Sequence, residues 1–234
     1  MSLSAVLLVF AVLVFLINKG LISMNHPSGK KYPVKGIDIS HHQKNIDWTE
    51  LKKNNLKFVF IKATEGTDFT DHKYEEYVRN VSELGIAAGA YHFFSLKTSG
   101  KMQAENFIRV VNEKDISLPP VIDLEFGGNS SYRPSVEEFE KELNDYISVL
   151  NAHFRKKPLL YVTYEFYDYY MSSIKINSEY SIWIRNVFYE PGNADGIDWT
   201  FWQYNSRGMV DGIEGPVDLN VYRYDEESFY RLIK

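Results

Sequence analysis

The chain has no cysteine, which excludes disulfides, thiolate metal sites, cysteine nucleophiles and lipoprotein-type anchoring together. It is also short of positive charge. Lys and Arg number 26 against 31 Asp and Glu, giving a net charge of −5, and the basic residues form no extended run. An electrostatic footprint for nucleic acid is therefore not expected. No internal repeat or low-complexity tract appears beyond residue 35, so tandem accessory modules and solenoids drop out. Histidine offers little more. His41 and His42 are adjacent, their side chains are expected to diverge, and no third ligand has suitable spacing, so neither a metal nor another cofactor is expected.

What is present fits a globular protein behind a leader. The 234 residues are 44% hydrophobic and 24% charged, and this length suits two small domains or one α/β barrel. Ala5 to Ile17 is an unbroken apolar run ending at Asn18-Lys19-Gly20. Its length suits a signal peptide and is marginal for a membrane span. No Lys or Arg precedes the run and no A-x-A site follows it, so residues 1–20 are read as either a signal peptide or an uncleaved membrane anchor. Both deliver the remainder outside the cytoplasm, and the membrane is involved only through this segment. Residues 21–34, with Pro27, Ser28, Gly29 and Pro33, look like a linker. Residues 35–234 form the remaining domain, expected to act as a monomer.

Within that domain strands and helices alternate. KGIDIS (35–40), KFVFIKA (57–63), IAAGAYHF (86–93), Pro119–Glu125 and PLLYVTY (158–164) read as strands. Helical spacing falls between them at Trp48–Asn54, Tyr74–Leu84 and Lys101–Asn112. Ser135 with Glu138 marks a capping box that opens a helix to about Ala152. The aromatic-rich stretch Glu165–Ser172 reads as a short helix. Three further strands, SIWIR (181–185), TFWQY (200–204) and VDLNV (217–221), have no long helix between them. Five β/α units and three strands make eight strands, enough to close a TIM-like α/β barrel, with parallel order favoured by the β-then-α repeat.

The segment Val121-Ile122-Asp123-Leu124-Glu125 is chemically the most informative. Strand alternation puts Asp123 and Glu125 on one face. Two acids on an apolar strand are costly to desolvate, and each raises the other's proton affinity. That cost makes sense if one carboxyl stays protonated beside an ionised neighbour, as glycoside hydrolysis requires. In barrels of this kind function gathers at the C-terminal ends of strands. Asp38, Tyr91, Tyr164, Trp183, Trp202 and Asp218 are all assigned near such ends. Aromatic faces there suit the apolar faces of sugar rings.

Several motifs, in order and spacing, resemble glycoside hydrolase family 25, the lysozymes or 1,4-β-N-acetylmuramidases. They are Gly36-Ile37-Asp38-Ile39-Ser40 with Gln43, Lys62-Ala63-Thr64-Glu65-Gly66, Gly89-Ala90-Tyr91-His92-Phe93, Val121–Glu125, Phe201-Trp202-Gln203-Tyr204 and Val217-Asp218-Leu219-Asn220. The resemblance covers residue 35 to the C-terminus. It implies a flattened barrel of five β/α units followed by three strands, and cleavage of peptidoglycan with retention of configuration. It also implies Glu125 as general acid/base, with Asp38, Asp123 and Asp218 as associated acids. On this reading Asp123 stays ionised beside a neutral Glu125 and orients the substrate's own 2-acetamido group, the competing route being direct nucleophilic attack by Asp123 or Asp218. Tyr91, Tyr164, Trp183 and Trp202 are the expected substrate contacts. The rival reading is a non-catalytic, membrane-anchored barrel that binds wall glycans. A chitinase-like barrel is disfavoured because Pro119, Pro120 and Val121 stand where further acids are expected.

Overall fold

The computed structural model describes residues 5–10, 12, 24–129, 131–174, 179–192 and 196–234. Eight strands close a barrel: β1 (Lys35–Ile39), β2 (Phe58–Glu65), β4 (Ala87–Phe93), β5 (Val121–Leu124), β6 (Leu159–Thr163), β7 (Ile182–Arg185), β8 (Trp199–Gly208) and β9 (Val217–Tyr222). A two-residue strand, β3 (Phe69–Thr70), pairs outside the ring with the end of β2. Pairing runs β1-β9-β8-β7-β6-β5-β4-β2 and returns to β1, so the ring leaves no unpaired edge.

Alternation sorts the side chains into two cores. On β2, Phe58 and Phe60 point into the barrel while Val59, Ile61 and Ala63 face the helices. The inner core, with Val121, Leu159, Tyr161, Trp183 and Phe201, fills the lower barrel as expected for a ring of this size. Bulk there demands small partners. A Cβ added at Gly89 of β4 would lie 2.4 Å from Cδ1 of Phe60, so glycine is what allows Phe60 to stack on Trp183 (centroids 4.5 Å apart). The outer core packs helices Tyr74–Glu83, Gly100–Val110 and Val136–His153 against the strands. The last helix carries the expected capping box, with Ser135 Oγ accepting from Glu138 N and the Glu138 carboxylate accepting from Ser135 N.

Three features differ from the sequence expectation. First, β9 runs antiparallel to both β8 and β1, whereas the other neighbours around the ring are parallel. Asp218 is thus near the start of its strand, not the end. The reversal brings it to the same rim as Asp38, its direct cross-strand partner. Second, a C-terminal helix, Glu226–Ile233, plugs the far end of the barrel with Phe229, whose ring lies 5.8 Å from that of Phe58. Asp225 caps it by accepting from Ser228 N at 2.8 Å.

Third, residues 24–34, the described part of the stretch expected to be a linker, pack on the barrel. No helix separates β7 from β8 or β8 from β9 among the described residues, and this segment lies over that face. Asn25 Nδ2 donates to the carbonyls of Asn186 and Tyr204, and the Tyr32 ring lies 6.0 Å from both Trp199 and Trp202. Tyr32 and Val34 are buried.

The expected leader falls largely outside the described residues, although 5–10 and 12 are helical. Among the described residues no helix is long and apolar enough to cross a membrane.

Candidate active site

A cleft of about 630 Å³ opens at the rim formed by the C-terminal ends of the parallel strands. Its lining includes Asp38, Asp123, Glu125 and Asp218, the four acids singled out in the sequence, together with Tyr91, Tyr164 and Trp183. Asp123 is on β5, and Glu125 follows one residue past the strand's end. Both side chains reach the cleft.

Trp202 does not join them. On β8, Phe201 belongs to the inner core and Gln203 lines the cleft, so the residue between them must face outward. Trp202 is buried in the outer core, where its Nε1 donates to the carbonyl of Asn186 at 2.7 Å. Trp183 is on the cleft floor but only 2% exposed, wedged between Phe60 and Tyr161. Tyr91 and Tyr164 are half-buried along the walls. His41 and His42 come together instead of diverging, with ring centroids 4.1 Å apart where the chain turns after β1. His41 Nδ1 is 2.7 Å from Asp71 Oδ2.

The acids are held in different ways. Asp38 Oδ2 accepts from Asn220 Nδ2 at 2.7 Å and from Gln203 Nε2 at 3.1 Å. The direction of both amides is fixed from behind. Trp183 Nε1, which can only donate, bonds Asn220 Oδ1 at 2.9 Å, and Tyr161 Oη donates to Gln203 Oε1 at 2.9 Å. Two donors therefore converge on Asp38. Burial still raises its proton affinity to about 6, against the lowering by Asn220 and Gln203. Asp218 bonds the Asp38 carboxyl directly; burial and then the Asp38 charge hold it well above the ordinary carboxylate range.

Asp123 is the opposite case. Its buried Oδ1 has no hydrogen-bond donor among the described residues. Burial first, then the charge of Glu125, drive its proton affinity well above the usual value, with Lys62 opposing. Glu125 is raised to about 6 by burial, with Arg185 pulling it down and Asp38 pushing it up. Both carboxyls of the D-x-E thus bind protons more tightly than ordinary acids. Burial thus favours a proton held within the pair in the ligand-free cleft. The reason is solvation: Asp123 is deeper and no donor stabilises its anion. Lys62 stands behind it, paired with Glu65 at 2.7 Å and placed over the rings of Phe69 and Phe93.

Four neighbours of the acids, Tyr161, Arg185, Gln203 and Asn220, carry no site role in the sequence expectation, although Gln203 and Asn220 stand within the quoted motifs. The signal was there: each lies two residues from another inward-facing position on its strand, Leu159, Trp183, Phe201 and Asp218 respectively. The exposed rim aromatics Phe188 and Tyr189, in the turn after β7, carried no such signal.

A family model described as "Glycosyl hydrolases family 25" matches residues 37–213. Among solved structures, a family 25 glycosyl hydrolase from Bacillus anthracis superposes with a TM-score of 0.81 at 39% identity, covering 91% of this chain and 98% of that one. YegX of Escherichia coli K12 is 35% identical over 207 residues, 86% of this chain and 74% of its own. Lysozyme M1 of Streptomyces globisporus is 31% identical over 198 residues, 81% of this chain and 67% of its own. The family match takes in Asp38, Asp123 and Glu125, and with a barrel rim where four carboxyls meet in one cleft the chain belongs to glycosyl hydrolase family 25 and is a glycoside hydrolase.

Proposed function

We propose that the protein is a peptidoglycan muramidase. It cleaves the β-1,4 bond between N-acetylmuramic acid and N-acetylglucosamine with net retention, and Glu125 is the general acid/base. The observation that carries this reading is the unpartnered, buried Asp123 carboxyl beside a Glu125 of raised proton affinity, both lining one cleft. The names of relatives, lysozyme M1 among them, support the substrate class.

The substrate's 2-acetamido N–H supplies the donor that Asp123 lacks. That bond stabilises the Asp123 anion and leaves the shared proton on Glu125. Glu125 gives it to the leaving glycosidic oxygen as the acetamido carbonyl oxygen closes on the anomeric carbon. Water then opens the cyclic intermediate, and the Glu125 carboxylate takes the water's proton. Asp38 and Asp218 set the field at the rim, and Tyr91 and Tyr164 form the sugar-facing walls above a floor that includes Trp183. Residues 35–234 constitute the catalytic domain, acting as a monomer outside the cytoplasm, with residues 1–20 as signal peptide or membrane anchor.

Digestion of purified peptidoglycan with the protein, followed by mass spectrometry of the borohydride-reduced fragments, tests the bond assignment. Reduced muramic acid at the new ends is expected. Glucosamine ends or anhydro-muramyl products would refute it, and undigested wall with retained binding would favour the non-catalytic barrel.

A further inference from the structure

Among the described residues that line the cleft, five are acids (Asp38, Asp123, Glu125, Glu165 and Asp218) and one is a cation, Arg185. Arg185 ends β7 on the inward face, in register between Thr163 of β6 and Gln203 of β8. Its charge reaches Asp38, Glu125 and Asp218 and opposes their protonation. Yet its guanidinium makes no ion pair within 4.0 Å and no side-chain hydrogen bond with any described residue. A half-buried fork of five donors, surrounded by acids and closed onto none, is held for a planar acceptor that arrives from outside.

This inference rests on the muramidase reading. Under it the substrate brings one group that distinguishes it from a chitin chain, the D-lactyl ether on C3 of the muramyl unit, next to the C2 acetamide assigned to Asp123. As a free acid that group is an anion entering a cleft of five acids, which would repel it without a cation at hand. We propose that Arg185 determines specificity by taking the lactyl acyl group of the muramyl unit, its fork bonding the carboxylate oxygens or the carbonyl of a peptide-substituted lactyl. The selection is for muramyl over glucosaminyl units at the same position. An electrostatic brace for the catalytic acids would need no such contact and would show no preference for the lactyl group.

Two ligands that differ only by the lactyl group separate these roles, the disaccharide GlcNAc–MurNAc and N,N′-diacetylchitobiose. Their affinities are to be measured by calorimetry for the full chain and for its Arg185→Met and Arg185→Lys variants. The wild type is expected to favour the lactyl ligand by about tenfold or more. Arg185→Met should abolish or invert that preference while chitobiose affinity stays within about twofold, which also reports an intact cleft. Arg185→Lys should keep a reduced preference, since the point charge remains and the fork does not. No preference in the wild type, a preference that survives in Arg185→Met, or equal weakening of both ligands would overturn the proposal. Muramic reducing ends without lactyl preference would remove this role alone, whereas lactyl preference without muramic ends would remove the muramidase reading alone.

Discussion

Glu125→Gln is expected to lower kcat on peptidoglycan by about 10²–10⁴-fold, the usual worth of a positioned acid/base, and to raise thermal stability at the same time. The activity loss follows because the amide is nearly isosteric but has no proton to give the leaving oxygen. The stability gain follows from linkage. Glu125 binds its proton more tightly in the folded protein, at about 6, than its ordinary value of 4.5. Its contribution to stability is therefore fully present below about pH 4.5 and is lost as pH rises through about 6. At pH 8 the buried charge opposes folding by about 2 kcal/mol, and removing it should raise the melting temperature by a few degrees. Steady-state kinetics and melting curves at pH 5 and pH 8 check both parts. The difference in Tm between variant and wild type should be larger at pH 8. A variant that hydrolyses wall at the wild-type rate would remove Glu125 from the chemistry.

Asp123→Asn is expected to lower kcat by about 10²–10³-fold with little change in KM, because its interaction with the acetamide strengthens as the carbonyl oxygen attacks. The amide can still accept a hydrogen bond but no longer carries the negative charge that polarises the acetamide. The effect should also be non-additive. Once Asp123 is neutralised, the further loss on adding Glu125→Gln should be smaller than the loss that Glu125→Gln causes alone, since the two act as one unit. Losses that multiply in full would mean that the residues act independently. A loss seen mainly in KM would assign Asp123 to ground-state binding.

Much of this was readable from strand periodicity. Period-2 alternation in KFVFIKA and the V-I-D-L-E segment is enough to separate inward from outward residues, and the acid cluster at one rim follows from it. Where the inference failed, the information was topological. Nothing in VDLNV says that its strand runs against its neighbours, so Asp218 was brought to the right rim by an assumed end of strand when the actual cause is the reversal. Trp202 shows the other limit. Nearness to a strand end suggests access to the cleft, but the parity set by Phe201 and Gln203 decides the matter and turns Trp202 outward. Tyr32 and Phe229 were invisible because their partners, Trp199 and Trp202 in one case and Phe58 in the other, are distant in sequence. The charge state of Asp123 depends on missing donors, and only three-dimensional neighbours reveal those.

On the proposed mechanism Asp123 and Glu125 together retain a proton where ordinary carboxyls have lost theirs. Carbon-13 NMR of the two side-chain carboxyls, in protein labelled at Asp and Glu and assigned with Asp123→Asn and Glu125→Gln, follows that proton through a pH titration. The expected result is that at pH 6 one carboxyl of the pair is still protonated, with Glu125 gaining proton occupancy when an N-acetylated ligand binds. Two resonances that complete their titration below pH 5, unmoved by ligand, would contradict it.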